Sequence, residues 1–434
     1  MLGEAGDSQP PPVGAGTQAL VVNGRSYAMP REPLVVLCVD GCEPDYLGQA
    51  VAAGMLPWTA RVLACGTGLT ADSVVPSFTN PNNLSIVTGV PPSVHGICGN
   101  YLLDPDSGEE QMMNDPRWLR APTVLAALAD RGLQVAVITA KDKLRTLLGA
   151  GLRGVCFSAE KADRTERAEH GIDDVVARLG RPLPPVYSAE LSEFVLAAGL
   201  WLMQHHRPDV MYLSTTDYVQ HKYAPGTPEA NAFLAMIDRH LAALDALGCM
   251  VVLTADHGMN PKTGLDGKPQ VIYLQQWFDA QLGRDHARVI LPITDPYVVH
   301  HGALGSFATV YLRAPQSAAA LCARLRTLPG VEAALPRAEA AEAYELPADR
   351  MGDLVVVSER FHVLGTEPGR HDLQSLDRPL RSHGGLSEQR VPLVVNRATP
   401  GIDSQRRWRN FDAFDLALNW AQPAGLPSQA ALHP

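Results

Sequence analysis

Four short apolar runs, each followed by polar residues, constrain the fold of this chain most strongly. They are Pro33–Asp40, Leu133–Thr139, Val210–Leu213 and Cys249–Thr254. Such a run, bounded by turn residues, is typical of a strand buried on both faces, as in a parallel sheet. Helical stretches are predicted between them, for example at 123–131 and 228–247. This alternation predicts an α/β fold with a doubly wound, mostly parallel sheet core.

Side chains that bind metal ions follow three of these runs. Asp40 ends the first run, Asp217 comes shortly after the third, and Asp256-His257 follows the fourth. In open α/β sheets, ligands bind beyond the carboxyl ends of the strands. We therefore expect these four side chains to converge at one edge of the sheet, although they lie far apart in the sequence.

Two further histidines extend this set. His221 stands four residues after Asp217, a spacing that puts both on one side of a helix or tight turn. His383 lies in a Ser-His-Gly-Gly sequence that follows a core-like strand predicted at Leu354–Val357. Zinc binds histidine nitrogen and aspartate oxygen, usually with four ligands per ion. Taken singly, an Asp after a strand is more often a cap, so it is the joint pattern that predicts a two-metal centre.

Residues 74–89 supply a candidate nucleophile, Thr79. It stands between a strand-like entry and a helical segment that carries Leu84, Ile86 and Val87. A helix N-terminus offers free N–H groups to a phosphate. A hydroxyl there is a poor nucleophile until its proton is removed, and coordination to zinc achieves this. Taken alone, Thr79 would be interpreted as an ordinary N-cap.

As a set, these residues resemble the alkaline phosphatase superfamily, in its nucleotide pyrophosphatase/phosphodiesterase-like branch, over about residues 33–400. Within that branch, Pro76–Asn100 and Lys141-Asp142-Lys143 resemble the enzymes that hydrolyse phosphonoacetate. The resemblance implies an alkaline phosphatase-like core and two Zn²⁺ ions per chain. It implies that one ion is bound by Asp217, His221 and His383, and the other by Asp40, Asp256 and His257, with Thr79 as both nucleophile and ligand.

The resemblance also implies how the substrate is bound. Asn100 would donate to a phosphoryl oxygen beside Thr79 and His383, and Lys141 and Lys143 would meet the substrate carboxylate. It further implies a phosphothreonine intermediate, release of acetate and phosphate, and a role in the cytoplasmic catabolism of organophosphonates. The lysines are notable in their own right, because the chain has only six, against thirty arginines. In an extended segment residues i and i+2 point the same way, which favours a carboxylate clamp over a solvated loop.

The length of the chain, 434 residues, predicts more than one domain. Residues 1–17, rich in Pro and Gly, are expected to form a disordered tail. A hairpin is predicted at Ala19–Met29 from its Asn-Gly pair. We expect residues 18–259 to form the first part of the core, 260–345 an inserted α+β cap, and 346–434 the second part of the core.

Charge and composition limit the partners. The formal net charge of −10 argues against a nucleic-acid surface, so bound metal ions are the expected source of positive charge for a small anionic phosphonate. Seven scattered cysteines without a CxxC pair favour reduced thiols in the cytoplasm. The start of the chain does not resemble a signal peptide, and its longest apolar stretch is shorter than the ~20 residues that span a bilayer. The sequence does not determine the oligomeric state, and a homodimer is compatible with it.

Three other functions remain open. A phosphomonoesterase or nucleotide phosphodiesterase would use the same metal ligands, although paired lysines favour a carboxylate and an aromatic clamp would favour a base. A metal-dependent phosphosugar mutase would be expected to have a larger cap, a serine nucleophile and more ligands. A non-catalytic phosphonate-binding protein would not need the nucleophile. Mn or Fe could replace zinc, since availability often decides which metal is bound.

Overall fold

The computed structural model describes residues 19–104, 107–293 and 304–424. Its strands, in chain order, are β1 (Leu20–Val22), β2 (Arg25–Tyr27), β3 (Leu34–Cys38), β4 (Thr67–Asp72), β5 (Tyr101–Leu103), β6 (Glu110–Met112), β7 (Val135–Thr139), β8 (Val155–Ser158), β9 (Val210–Ser214), β10 (Met250–Thr254), β11 (Asn260–Pro261), β12 (Val271–Tyr273), β13 (Ala287–Ile290), β14 (Phe307–Leu312), β15 (Val331–Pro336), β16 (Leu354–Ser358), β17 (Val363–Gly365), β18 (Arg381–Ser382) and β19 (Arg390–Val395). The predicted tail, residues 1–17, lies outside the described residues.

The α-helices, in chain order, are α1 (Pro44–Ala52), α2 (Pro57–Cys65), α3 (Thr79–Thr88), α4 (Pro92–His95), α5 (Val124–Asp130), α6 (Asp142–Leu148), α7 (Arg167–His170), α8 (Val175–Leu179), α9 (Ala189–His205), α10 (Tyr218–Lys222), α11 (Pro228–Ala246), α12 (Leu274–Leu282), α13 (Ala318–Leu325), α14 (Arg337–Ala343) and α15 (Ala413–Asp415). None of the helices in the described ranges is long and apolar enough to cross a membrane.

The core is a seven-stranded sheet in the order β4-β19-β10-β3-β9-β7-β8. Strand β19 is antiparallel to both of its neighbours, and the other strands run in one direction. The four predicted apolar strands are β3, β7, β9 and β10, and every residue in them is buried. Helices α5 and α6 contact β7, α9 contacts β9, and α11 contacts β10. The predicted α/β fold with a mostly parallel sheet is therefore confirmed.

Local signals in the sequence also match the structure. Strands β1 and β2 pair as the predicted hairpin, and Asn23 and Gly24 both have positive φ, 51° and 78°, as its tight turn requires. Helix α5 begins after Thr123, whose hydroxyl accepts the backbone N–H of Ala126 at 3.0 Å. Thr227 caps α11 in the same way. The helices predicted at 123–131 and 228–247 are therefore confirmed as α5 and α11, to within one or two residues at each end.

A second, four-stranded sheet has the order β13-β14-β16-β15 and is wholly antiparallel. It contains Leu354–Ser358 as β16, so the core-like strand predicted at Leu354–Val357 is present but lies in this second sheet and not in the seven-stranded one. This run is apolar because it lies between β14 and β15 and is buried there. A short buried strand has the same composition in either sheet. The division into a core and an inserted cap stays a prediction.

A short ladder brings two distant parts of the chain to the edge of the core sheet. Strand β11, which follows the Asp-His-Gly sequence at 256–258, pairs with β18, which precedes His383. The register places Asn260 opposite Ser382. The fold therefore holds the chain after β10 beside the chain before His383, although more than a hundred residues separate them.

Candidate metal centre

Five acidic and imidazole side chains meet beyond the carboxyl ends of β3, β9 and β10. Two groups have ligand atoms within 4.8 Å of one another, and they share one aspartate; the first comprises Asp217, His221 and His383, and the second Asp40, Asp217 and His257. These strands are adjacent and parallel, so the side chains that follow them lie at one edge. The structure thus brings together Asp40, Asp217 and His257, three of the four residues that the strand-end pattern predicted.

The contacts within this cluster are short. Asp217 Oδ2 lies 2.9 Å from His221 Nε2 and 3.8 Å from His383 Nε2. Asp40 Oδ1 lies 3.3 Å from His257 Nε2. The rings of His257 and His383 stack almost parallel, with their centroids 3.7 Å apart. Two carboxylates and three imidazoles therefore face one small volume.

The orientation of each imidazole is fixed by a backbone carbonyl. The Nδ1 atoms of His221, His257 and His383 lie 2.9, 2.9 and 2.7 Å from the carbonyl oxygens of Arg381, Gly258 and Ser77. A carbonyl oxygen can only accept, so each Nδ1 donates its proton there, and each Nε2 faces the carboxylates as the ring nitrogen available to bind a metal ion. Metal-binding histidines typically have this arrangement, in which the second ring nitrogen donates to an oxygen of the protein.

The electrostatics of the cluster fit bound cations. Within the described residues, the buried atoms Asp40 Oδ1 and His257 Nε2 have no hydrogen-bond partner. Burial, together with the charges of Asp217 and Asp256, raises the pKa of Asp40 well above its usual range. Burial opposes the ionisation of Asp217, but the neighbouring His221 lowers its pKa below the usual range. Crowded carboxylates beside imidazole nitrogens form a donor set that zinc accepts.

Asp256, also an expected ligand, has a partner on each oxygen. Its Oδ1 accepts the backbone N–H groups of Gly41 at 3.2 Å and His257 at 3.1 Å, and its Oδ2 accepts the side-chain amide of Asn83 at 3.1 Å. It lies outside the two compact groups, although its Oδ2 is 3.8 Å from His257 Nε2. Asp256 therefore links the turn after β3 to helix α3.

Thr79 is the first residue of α3, and Phe78 occupies the N-cap position. The ordinary N-cap interpretation of Thr79 is therefore wrong. The residues just before Thr79 are tied to the His383 loop, because Ser77 N–H donates to Gly384 O at 3.2 Å and the Phe78 ring packs edge-on against the His383 ring with centroids 5.6 Å apart. The candidate nucleophile thus begins a helix at the border of the cluster.

Asn83 is an organising residue that the sequence reasoning missed. Its amide nitrogen donates to Thr79 O and to Asp256 Oδ2, both at 3.1 Å. Its Oδ1 accepts the hydroxyls of Tyr212 at 2.7 Å and Ser214 at 3.1 Å. Asn is unfavourable in a helix interior because its side chain competes for backbone hydrogen bonds. Its presence inside the predicted helix was the sequence feature that could have indicated a special role. Asn83 fixes the first turn of α3 against β9 and Asp256.

Asn100 lies at the start of the same helix. Its Oδ1 accepts the backbone N–H of Asn80, the second residue of α3, at 3.4 Å. Its own N–H donates to Pro292 O at 2.7 Å. The side-chain oxygen of Asn100 therefore faces the N-terminus of α3, and its Nδ2 group points away from the Asn80 N–H.

The two lysines differ in their surroundings. Lys141 Nζ donates to Val186 O at 3.3 Å and lies 4.6 Å from the centroid of the Tyr187 ring. Burial lowers the pKa of Lys141, while nearby carboxylates that include Asp217 and Asp40 oppose this, so its charge acts on the cluster. Lys143 is exposed in the first turn of α6. The assumption that 141–143 is extended is wrong, because α6 begins at residue 142.

The fold and this cluster define a class of protein. The profile of the family described as "Type I phosphodiesterase / nucleotide pyrophosphatase" matches residues 34–385, and the chain belongs to this family. Mouse ectonucleotide pyrophosphatase/phosphodiesterase family member 1 is 27% identical over 245 residues, which cover 52% of this chain and 24% of that protein. An uncharacterised pyrophosphatase/phosphodiesterase of Schizosaccharomyces pombe is 24% identical over 251 residues, or 53% of this chain and 45% of that protein. The matched segment thus spans between about a quarter and half of these relatives.

A solved structure of much higher similarity narrows the resemblance. Phosphonoacetate hydrolase from Sinorhizobium meliloti 1021, in complex with phosphonoacetate, is 59% identical, with a TM-score of 0.91 over 94% of this chain and 100% of that chain. A second structure of that enzyme, with phosphonoformate, matches equally well. The resemblance to the enzymes that hydrolyse phosphonoacetate is therefore confirmed. Murine ectonucleotide pyrophosphatase/phosphodiesterase 5 is 18% identical with a TM-score of 0.60, and shares the fold.

Proposed function

We propose that this chain hydrolyses the carbon–phosphorus bond of phosphonoacetate to acetate and phosphate at a two-zinc site. The observation that carries the proposal is the orientation of three imidazoles. Each donates Nδ1–H to a backbone carbonyl and directs Nε2 toward the carboxylate of Asp217 or Asp40. The 59%-identical hydrolase with phosphonoacetate bound supports the choice of substrate.

In this proposal the expected ligands keep their assignments. One Zn²⁺ would be held by Asp217, His221 and His383, and the other by Asp40, Asp256 and His257 together with Thr79. Bound zinc supplies Lewis-acid charge that lowers the proton affinity of a hydroxyl and stabilises negative charge on phosphoryl oxygens. Asp217 lies between His221 and His383, and Asp40 beside His257, which supports this division.

The chain's own residues would carry out the bond changes. Thr79 Oγ1 loses its proton to water and attacks phosphorus, while the Nδ2 group of Asn100 donates to a phosphoryl oxygen and stabilises its charge. The carbon–phosphorus bond breaks, and its electron pair goes to the methylene carbon. The adjacent carboxylate delocalises this charge as an enolate, which Lys141 and Lys143 stabilise. Protonation of the carbon by water releases acetate.

The second half of the reaction restores the enzyme. Water attacks the phosphorus of phosphothreonine, the bond from phosphorus to Thr79 Oγ1 breaks, and phosphate leaves as the hydroxyl regains a proton. A catabolic role in the cytoplasm accompanies this proposal. It is supported by the seven cysteines, which are all free of disulfides.

An alternative is a phosphomonoesterase or nucleotide phosphodiesterase acting at the same site. The family profile and the mouse relative favour it, because such metal ligands serve any phosphoryl transfer. The position of Lys141, whose charge acts on Asp40 and Asp217, favours a substrate with a second anionic group. The two functions differ in the bond that is broken, which is the P–O bond of a phosphate ester in the alternative and the P–C bond of a phosphonate in the proposal.

A phosphate-release assay on the zinc-loaded protein tests the proposal. Phosphonoacetate, 2-aminoethylphosphonate and p-nitrophenyl phosphate are compared at equal concentration. We expect phosphonoacetate to be the best substrate and 2-aminoethylphosphonate to be inert, because it lacks the carboxylate that stabilises the carbanion. Preference for the aryl ester, with phosphonoacetate inert, would favour the alternative.

A further inference from the structure

A buried ion pair lies behind the metal centre, between Lys262 and Glu388. Lys262 Nζ is 2.9 Å from Glu388 Oε1, and both side chains are fully buried. The ammonium also donates to Ser306 Oγ at 2.7 Å and to Arg360 O at 2.8 Å. All three of its N–H bonds therefore have a partner, as a buried ammonium requires.

Glu388 contacts both loops that carry the stacked histidines. Its Oε2 accepts the backbone N–H of Gly385, two residues after His383, at 3.0 Å. Its backbone carbonyl accepts the N–H of Gly258, the residue after His257, at 2.7 Å. One residue thus bridges the two segments whose imidazole rings lie 3.7 Å apart.

Lys262 is also linked to the loop that carries His383, through Ser306. Ser306, which accepts from Lys262, donates its backbone N–H to His383 O at 2.9 Å. On the other side, Asn260 Nδ2 donates to Glu388 Oε1 at 2.8 Å, and Asn260 belongs to the β11–β18 ladder. The hydrogen bonds of the pair therefore lead to the backbone on both sides of the metal centre.

Stability alone does not account for such a pair. Burying two charges costs several kcal/mol per ion, and apolar residues of similar volume are often as stable or more stable. We propose that Glu388 is a positioning residue that sets the separation of His257 and His383, and thereby the affinity for the two cations. This inference rests on the metal centre of the proposed function.

The carboxylate is suited to this role because it accepts on both oxygens. Oε1 accepts from Lys262 and Asn260, while Oε2 accepts from Gly385. In Glu388→Gln one of these two oxygens is replaced by an NH₂ group. That group is a donor and faces another donor, either the Lys262 ammonium or the Gly385 N–H, so one hydrogen bond is lost. The variant keeps the volume and loses one side of the bridge.

The test is a titration of the metal-free, full-length protein with Zn²⁺ in competition with a chromophoric chelator. We expect two bound ions in the wild type and a loss of about 10-fold or more in affinity in Glu388→Gln, in line with the usual effect of removing a group that orients metal ligands. Asp238→Asn is the matched control. Asp238 is also buried and accepts backbone N–H groups, but those of Trp58 and Thr59 in α2, so its zinc affinity should be unchanged.

The outcomes separate the two ideas. Wild-type protein that binds no zinc would contradict the proposed function and this inference together. Two ions in the wild type and an affinity within about twofold in Glu388→Gln would overturn this inference alone, as would an equal loss in Asp238→Asn. If Glu388→Gln does not fold, Glu388→Asp keeps the charge but cannot reach both Lys262 and Gly385. The same loss is expected there, and wild-type affinity would overturn the inference.

Discussion

The imidazole of His383 donates its Nδ1–H to the carbonyl oxygen of Ser77 at 2.7 Å, across 306 residues of sequence. The Ser77 hydroxyl donates a hydrogen bond to Gly385 O at 2.9 Å. Since Ser77 comes two residues before Thr79, this pair of bonds ties an expected metal ligand to the start of the helix that carries the candidate nucleophile. A change in either segment should therefore disturb both metal binding and the attack of Thr79 on phosphorus.

Gly384→Ala is predicted to uncouple these segments. Gly384 has φ +118°, and a Cβ there would lie 2.3 Å from Cε1 of the Phe78 ring, so the ring and the loop must separate. We expect a loss of about 1–3 kcal/mol of stability from the backbone alone, with weaker zinc binding and at least a 100-fold loss of phosphonoacetate turnover. Urea unfolding, zinc titration and an activity assay measure the three effects.

Gly132→Ala is the matched control for that substitution. Gly132 also has positive φ, +88°, but a Cβ there would meet no heavy atom within 4 Å. It should show the backbone cost with normal zinc affinity and activity. Equal losses of activity in both variants would show that the overlap with Phe78 is not the cause.

The paired lysines should determine the choice of substrate. Charge-assisted hydrogen bonds contribute about 1.5–3 kcal/mol, so Lys141→Ala and Lys143→Ala should each lower kcat/KM for phosphonoacetate by about 10- to 100-fold. Turnover of p-nitrophenyl phosphate, which has no carboxylate, should fall far less. Lys268→Ala, an exposed lysine beside Asp266, serves as the control. Equal losses on both substrates would rule out the carboxylate clamp.

Removal of one histidine should empty one metal site before the other. His221 contacts Asp217 but not Asp40, so His221→Ala should retain about one zinc per chain where the wild type retains two. Elemental analysis after gel filtration in metal-free buffer gives the ratio. An unchanged ratio would mean that His221 is not a ligand.

Buried His95 should make stability depend on pH. Burial lowers its pKa to about 3, against ~6.5 in an unfolded chain. The folded imidazole is neutral, so its contribution to stability is complete above pH ~6.5 and is lost as the pH falls toward about 3. The loss is about 1.4 kcal/mol per pH unit, or about 2 kcal/mol at pH 5.

His95→Asn isolates this contribution. The imidazole Nδ1 accepts the Ile97 N–H at 3.1 Å, and an Asn side-chain oxygen can take its place. Between pH 7.5 and 5.0, in the presence of chelator, urea unfolding should show a fall in the free energy of unfolding that is about 2 kcal/mol smaller in the variant. Parallel pH dependence of the two proteins would show that His95 does not take up the proton.

The sheet edge could be predicted because it follows from a general rule. Buried parallel strands have recognisable apolar runs, and β3, β9 and β10 are neighbours, so the residues that follow them had to meet. Asp40, Asp217 and His257 therefore lay where the pattern placed them. The pairing of His383 with Asp217 required the family resemblance, since nothing local in the sequence indicates it.

Features that depend on distant contacts could not be predicted in this way. The run at Leu354–Ser358 does not reveal which sheet receives it, and Lys141 and Lys143 gave no sign that a helix begins between them. Asn83 and Glu388 look like ordinary polar residues in sequence. Their roles come from partners such as Asp256 and Gly385, which the chain brings close only on folding.

Carbon–phosphorus cleavage by Thr79 is tested most directly by following phosphonoacetate by ¹H and ³¹P NMR with zinc-loaded wild type and Thr79→Ala. We expect equal amounts of acetate and phosphate from the wild type, and neither product from Thr79→Ala at the same zinc content. Intact phosphonoacetate in the wild-type reaction, in a preparation that hydrolyses a phosphodiester, would contradict carbon–phosphorus cleavage. Near-normal product formation by Thr79→Ala would contradict the role of the Thr79 hydroxyl as nucleophile.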